Sequence, residues 1–160
     1  MGGTMSTEDG IRAILERHPF LRGLDTSVID GLEDLASIER FAAGDALLIE
    51  GRAADRFFLL LDGTVALGVA RRGERLKVIE VVREGDLLGW SWLIPPFHWT
   101  FEAQARTPVR ALVIDAAILR ERMRADHVLA HALMDRLLPV MAARLRAARM
   151  EVLACEENQG

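Results

Sequence analysis

Between Ile38 and Asp115 the chain is cut into short apolar runs by glycine, at Gly44, Gly51, Gly63, Gly68, Gly73, Gly85 and Gly89. Segments that short, bounded by turn residues, read as strands. Candidate strands fall at 37–41, 46–49, 56–61, 64–71, 76–82, 100–106 and 109–114, with Arg72-Gly73 as a hairpin turn. Regular short strands of this kind predict an antiparallel roll or sandwich. After Asp115 the punctuation stops, and no glycine follows until Gly160. The chain is therefore expected to be α+β, with a β-rich centre and a helical end.

The flanks carry helical spacing. Thr7 precedes the acidic pair Glu8 and Asp9, and Ile11, Ile14 and Leu15 form an apolar stripe that Pro19 ends. Asp25, Thr26 and Ser27 offer caps for a second short helix carrying Val28, Ile29, Leu32, Leu35 and Ala36. Beyond the strands, 116–124 reads as a short helix, and Asp126 caps a long one running towards Cys155. On it Met134, Leu138, Met141, Leu145, Ala148, Val152 and Cys155 alternate at steps of four and three, the seam of a coiled coil. Leu133, Leu137 and Val140 make a second stripe on an adjacent face. Two apolar faces need two partners. One is the roll, and the other is the same helix of a second chain, so a homodimer is expected through Met134, Leu138, Met141, Leu145, Ala148 and Val152. Pro139 lies inside this helix and is expected to kink it. The organisation expected is a disordered leader at 1–6 and a single domain over 7–160. That domain divides into a helical 7–36, a roll over 37–115 and helices over 116–156.

The stretch 84–105 concentrates the aromatic residues. Trp90, Trp92 and Trp99 are all the tryptophans of the chain, and Phe97 and Phe101 lie among them around Pro95-Pro96. This reads as a short helical insert in the roll, the place where a ligand would sit. Two readings stand. The aromatic side chains line a pocket for a planar or apolar ligand with His98 as its polar handle, or they fill the space themselves as core or as a partner-binding surface.

Charge and motifs narrow the function. The net charge is −4 and the pI about 5.6, whereas nucleic-acid binders are more often basic. Arg144, Arg146 and Arg149 read as a solvated strip near the end of the long helix, and no helix-turn-helix follows it, so direct DNA binding is not expected. Cys155 is alone, which rules out an internal disulfide and suits a reducing compartment. No apolar run approaches the roughly 20 residues of a membrane span, and no signal peptide opens the chain, so a cytoplasmic protein without membrane contact is expected. G-x-S-x-G, H-E-x-x-H and P-loop motifs are lacking. A non-enzymatic protein without cofactor or metal is expected. His127 and His131, one turn apart, read as helix-start residues rather than ligands.

Phe41-Ala42-Ala43-Gly44-Asp45, Glu50-Gly51, Asp55, Gly63 and Gly85-Asp86-Leu87-Leu88-Gly89 together resemble the cyclic nucleotide-binding domain of the catabolite activator protein family, over about residues 19–156. The resemblance implies an eight-stranded β-roll, a phosphate-binding cassette and a long C-terminal dimerisation helix. It implies a ligand site at Gly85, Asp86, Leu88, Gly89, Trp90, Ser91, Trp92, His98, Trp99 and Thr100. In the family the residue after the second cassette glycine is usually a glutamate that accepts from the ribose hydroxyl. Here it is Trp90, whose ring nitrogen only donates. About ten residues on the family places an arginine on the cyclic phosphate. Here that position falls in Phe97-His98-Trp99-Thr100, and Arg106 lies too far along. A phosphate without its arginine forfeits about 2–5 kcal/mol. Cyclic AMP and cyclic GMP are therefore expected to bind weakly or not at all. The function expected is a regulatory sensor domain that takes a small ligand in 85–101 and signals through its dimer helix to a partner protein. The alternatives are a ligand-free interaction scaffold, and the effector part of a transcription regulator without its DNA-binding part.

Overall fold

In the computed structural model, which describes residues 7–159, α1 (Thr7–Arg17) and α2 (Thr26–Glu33) precede the strands. The leader expected at 1–6 lies outside the described residues. Eight strands follow: β1 (Ala36–Phe41), β2 (Ala46–Leu48), β3 (Arg56–Asp62), β4 (Val65–Val69), β5 (Lys77–Val82), β6 (Leu87–Leu88), β7 (Glu102–Ala105) and β8 (Val109–Asp115). Two helices close the chain, α3 (Ala116–Ala125) and α4 (His127–Glu157). The strands form two antiparallel four-stranded sheets, ordered β1-β8-β3-β6 and β2-β7-β4-β5. This is the expected α+β roll.

β3 is the centre of the packing. Phe57, Phe58, Leu59 and Leu60 are consecutive and fully buried, so the strand is covered on both faces. β8 pairs along one edge, from Arg56↔Asp115 to Asp62↔Arg110, and β6 pairs Phe58↔Leu88 and Leu59↔Leu87 along the other. One apolar cluster joins these residues to Leu48, Val65 and Leu67 of the second sheet and to Leu15, Leu32, Leu129 and Leu133 of the helices. β4 and β5 shift register between Leu67 and Gly68, and the close approach there requires glycine, since a Cβ would lie 2.0 Å from the Lys77 carbonyl oxygen.

Three expectations are adjusted. The strand expected at 100–106 begins only at Glu102. Leu87–Leu88 is an additional strand, too short for any periodicity to announce it. The insert expected to be helical is a three-residue 3-10 turn, Ser91–Leu93. In the helices, Asp25 precedes α2 without a side-chain capping bond, whereas the Asp126 carboxylate accepts from Val128 and Leu129 N–H at 3.1 Å each. α4 runs on through Pro139. Leu129, Leu133 and Leu137 are buried under it, while Leu138, Leu145 and Val152 are 55%, 54% and 58% exposed. The two stripes thus lie on different faces, one inward and one in solvent.

Candidate ligand pocket and its helices

The pocket segment starts from a turn fixed by its own carboxylate. Asp86 accepts from the Arg83 N–H through Oδ2 at 3.0 Å, and its N–H donates to the Arg83 carbonyl at 3.0 Å. Gly85 has φ +87°, and its N–H donates to the Leu60 carbonyl of β3 at 3.0 Å. That carbonyl also faces Nε2 of His18 at 3.2 Å, while Nδ1 of the same ring accepts from the Phe20 N–H at 3.2 Å. The buried imidazole is therefore neutral with its proton on Nε2, and burial lowers its pKa.

Leu87 and Leu88 pair with β3 and are buried, and the chain then reverses at Gly89. Gly89 has φ +95°, and a Cβ there would come within 2.8 Å of Trp99 Cη2. The glycine is required twice, by its conformation and by the indole over it. Trp92, in the 3-10 turn, is fully buried and stacks on Phe57, centroids 4.9 Å apart and planes 9° from parallel. Its Nε1–H has no partner. Trp99 is held by backbone bonds, donating to the Arg52 carbonyl and accepting from Gly51 N–H, both at 2.9 Å. His98 pairs with Ala53 in an isolated bridge and points out of the site as an exposed residue.

Of the ten residues expected at the ligand site, Gly89, Trp90, Ser91, Trp99 and Thr100 surround one cavity, with Leu48, Leu67 and Phe101 beside them. Gly85, Asp86, Leu88, Trp92 and His98 do not line it. The cavity measures about 30 Å³, the room of about one water molecule, where sites for drug-sized ligands run to about 300–1,000 Å³.

The cavity is lined on one side by a residue expected, as part of its arginine strip, to lie in solvent. Arg144 of α4 turns inward, only 14% of its side chain exposed, with Nε 3.0 Å from Glu80 Oε1 of β5. Its Nη2 donates to the Leu87 carbonyl, and its Cζ lies 4.9 Å over the Trp90 ring. Burial pushes the Glu80 carboxyl up and the Arg144 guanidinium down, each opposed by the attraction of the other. The signal was present: Arg144 continues the Leu133, Leu137, Val140 stripe by one further step of four, the position of an inward residue. A second arginine, Arg120 of α3, donates to the Ala54 and Trp92 carbonyls at 3.1 and 2.8 Å and lies 4.2 Å over the Phe97 ring. Both C-terminal helices are thereby fastened to the 85–101 segment. No motif marks Arg120, since its partners are carbonyls.

Among the described residues no three or more His, Cys, Asp or Glu side chains gather to hold a metal ion, and His127 and His131 are exposed. No helix among them is long and apolar enough to cross a membrane.

The model of the cyclic nucleotide-binding domain matches residues 38–126. The chain is 29% identical over 133 residues to the CRP-like cAMP-activated global transcriptional regulator of Mycobacterium tuberculosis, a match that covers 83% of this chain and 58% of the relative. The chain thus spans little more than half the length of that regulator. A structure from Geobacter metallireducens GS-15, described provisionally as a cyclic nucleotide-binding protein, superposes with a TM-score of 0.74 at 28% identity, covering 88% of this chain and 99% of that one. The N-terminal domain of a transcriptional regulator from Streptomyces coelicolor A3(2) superposes with a TM-score of 0.62 at 27% identity, covering 87% and 94%. With the family model matching more than half of its residues, the chain belongs to the cyclic nucleotide-binding domain family.

Proposed function

We propose that the chain is a non-enzymatic sensor domain of the cytoplasm. It takes a small ligand in the 85–101 segment and reports its presence to a partner protein through a homodimer built on α4. The observation that carries this reading is the double fastening of that segment. Arg120 ties α3 to the Trp92 and Ala54 carbonyls, and Arg144 ties α4 to Trp90 and the Leu87 carbonyl. A ligand that shifts the segment must therefore shift both helices. The exposed stripe of Leu138, Leu145 and Val152 supports pairing of α4 with a second copy, with Met134, Met141 and Ala148 completing the seam.

Tight binding of cyclic AMP or cyclic GMP is not part of the proposal. Trp90 stands where a ribose acceptor would be needed, and 85–105 contains no arginine or lysine. The small cavity favours a second reading, an interaction scaffold whose pocket is filled by its own side chains. A titration of tryptophan emission separates the two, because all three indoles lie between residues 90 and 99. A saturable change with any of cyclic AMP, cyclic GMP or a panel of small metabolites supports the sensor. Silence across the panel supports the scaffold.

A further inference from the structure

The second half of α4 has one inward-turned side chain among its described residues. From Ala142 to Gln159 every described residue except Arg144 is exposed. Arg144 reaches inward to Glu80 at 3.0 Å, to the Leu87 carbonyl and to the face of Trp90. It also lines the cavity, across which lie the hydroxyl-bearing residues Ser91 and Thr100. Because 85–105 carries no arginine or lysine, an anion entering this cavity would find a permanent positive charge among its lining residues only on Arg144. The guanidinium has five N–H donors, of which Glu80 and Leu87 engage two, so it is equipped to hold a second acceptor group. Glu80 is 32% exposed, and water can solvate it once its partner leaves.

From this juxtaposition we infer that Arg144 is the anion-recognising residue of the pocket, held in reserve by Glu80, and that the ligand is a small organic anion bearing a flat ring. The inference rests on the sensor reading above. The anion takes Arg144 over from Glu80, and the ring takes the place of the guanidinium against Trp90. Since every other described residue beyond Met141 is exposed, the exchange removes the one inward tie between the end of α4 and β5. Pocket filling and helix attachment become alternatives.

The test uses the full chain, as wild type, Glu80→Gln, Arg144→Met and the double variant. Acrylamide quenching without ligand reads the plug, because Trp92 and Trp99 are buried and Trp90 is the half-buried indole beneath Arg144. Arg144→Met should increase the quenchable fraction. An unchanged fraction with an unchanged thermal melt would overturn the plug. Tryptophan emission is then titrated with cyclic AMP as the flat anion and with adenosine as its uncharged counterpart. Removing the internal competitor in Glu80→Gln should tighten cyclic AMP binding about tenfold or more, the scale of one charge-assisted contact. The gain should vanish in the double variant, and adenosine should not register the change. Equal cyclic AMP affinity in wild type and Glu80→Gln, or a gain that survives Arg144→Met, overturns the exchange. If Arg144→Met exposes Trp90 while no variant responds to either compound, the plug stands, the exchange is refuted, and the sensor reading is left to the wider metabolite panel.

Discussion

Gly89 offers the sharpest quantitative test of how the pocket is built. Its φ of +95° is matched by Gly44 at +94°, but the surroundings differ. A Cβ at Gly44 would meet nothing within 4 Å, whereas one at Gly89 would meet Trp99 Cη2 at 2.8 Å and Cζ3 at 3.0 Å. Gly44→Ala should therefore carry only the cost of a left-handed alanine, about 1–2 kcal/mol. Gly89→Ala should add an overpacking cost of about 1–3 kcal/mol, for a total of about 2–5 kcal/mol. At roughly 2–4 °C per kcal/mol for a chain of this size, the Tm should fall by about 2–8 °C for Gly44→Ala and about 4–20 °C for Gly89→Ala. Urea titrations with a constant slope would give the same difference as free energies. The control is Trp99→Phe, which removes the part of the indole that bears Cη2 and Cζ3. In that background Gly89→Ala should fall to the cost of Gly44→Ala. If Gly89→Ala costs the same with Trp99 or Phe at position 99, or no more than Gly44→Ala in the wild type, the close approach does not govern this site.

Other predictions follow from single contacts. Leu145→Glu places a charge in the exposed α4 stripe and should give monomers in analytical ultracentrifugation; a persistent dimer would show that the seam lies elsewhere. Trp92→Ala should destabilise by about 3–5 kcal/mol, as expected for a fully buried large aromatic, and a loss below about 1 kcal/mol in urea unfolding would contradict the stacking on Phe57. Arg120→Met leaves the Ala54 and Trp92 carbonyls without their donor, so amide exchange should rise in 92–97 while β3 stays protected; unchanged exchange there would argue against the tie. The folded-state pKa of His18 lies below its ordinary 6.5 because of burial, so the unfolded chain binds the extra proton more readily. Its contribution is complete above pH 6.5 and is lost as pH falls towards the depressed folded value. Melts of His18→Gln should accordingly fall less steeply below pH 6.5 than those of the wild type, and parallel slopes would exclude this histidine as the cause.

The parts of this molecule that could be read in advance are those that repeat. Glycine recurs at the turns of the roll, and apolar residues recur along α4, so strands, helices and the two α4 stripes follow from spacing alone. β6 escaped because two residues have no period. The insert at Ser91–Leu93 escaped as a 3-10 turn because the same residues can begin either kind of helix. The aromatic segment was legible, but not how its side chains pack. Trp90, Trp92 and Trp99 are near neighbours in sequence, yet Trp92 packs on Phe57, Trp99 over Gly89, and Trp90 beneath Arg144. Charge misled most. An arginine among exposed arginines looks solvated, and only the stripe that ends on Arg144 betrays its inward position.

The attachment at Arg144 also sets a mechanical scale. From Arg144 to Glu157 the helix continues for thirteen residues, about 20 Å at 1.5 Å per residue. A rod of that length, hinged where it leaves the roll, turns small rotations into large travel: a tilt of about 10° moves its tip by about 3.5 Å. If the proposed ligand tilts α4 about this attachment, the travel at Glu157 exceeds the shift beside Trp90 by leverage alone. In that case the travel scales with helix length, so removing a turn from the end of α4 should reduce it in proportion while leaving the pocket as it is.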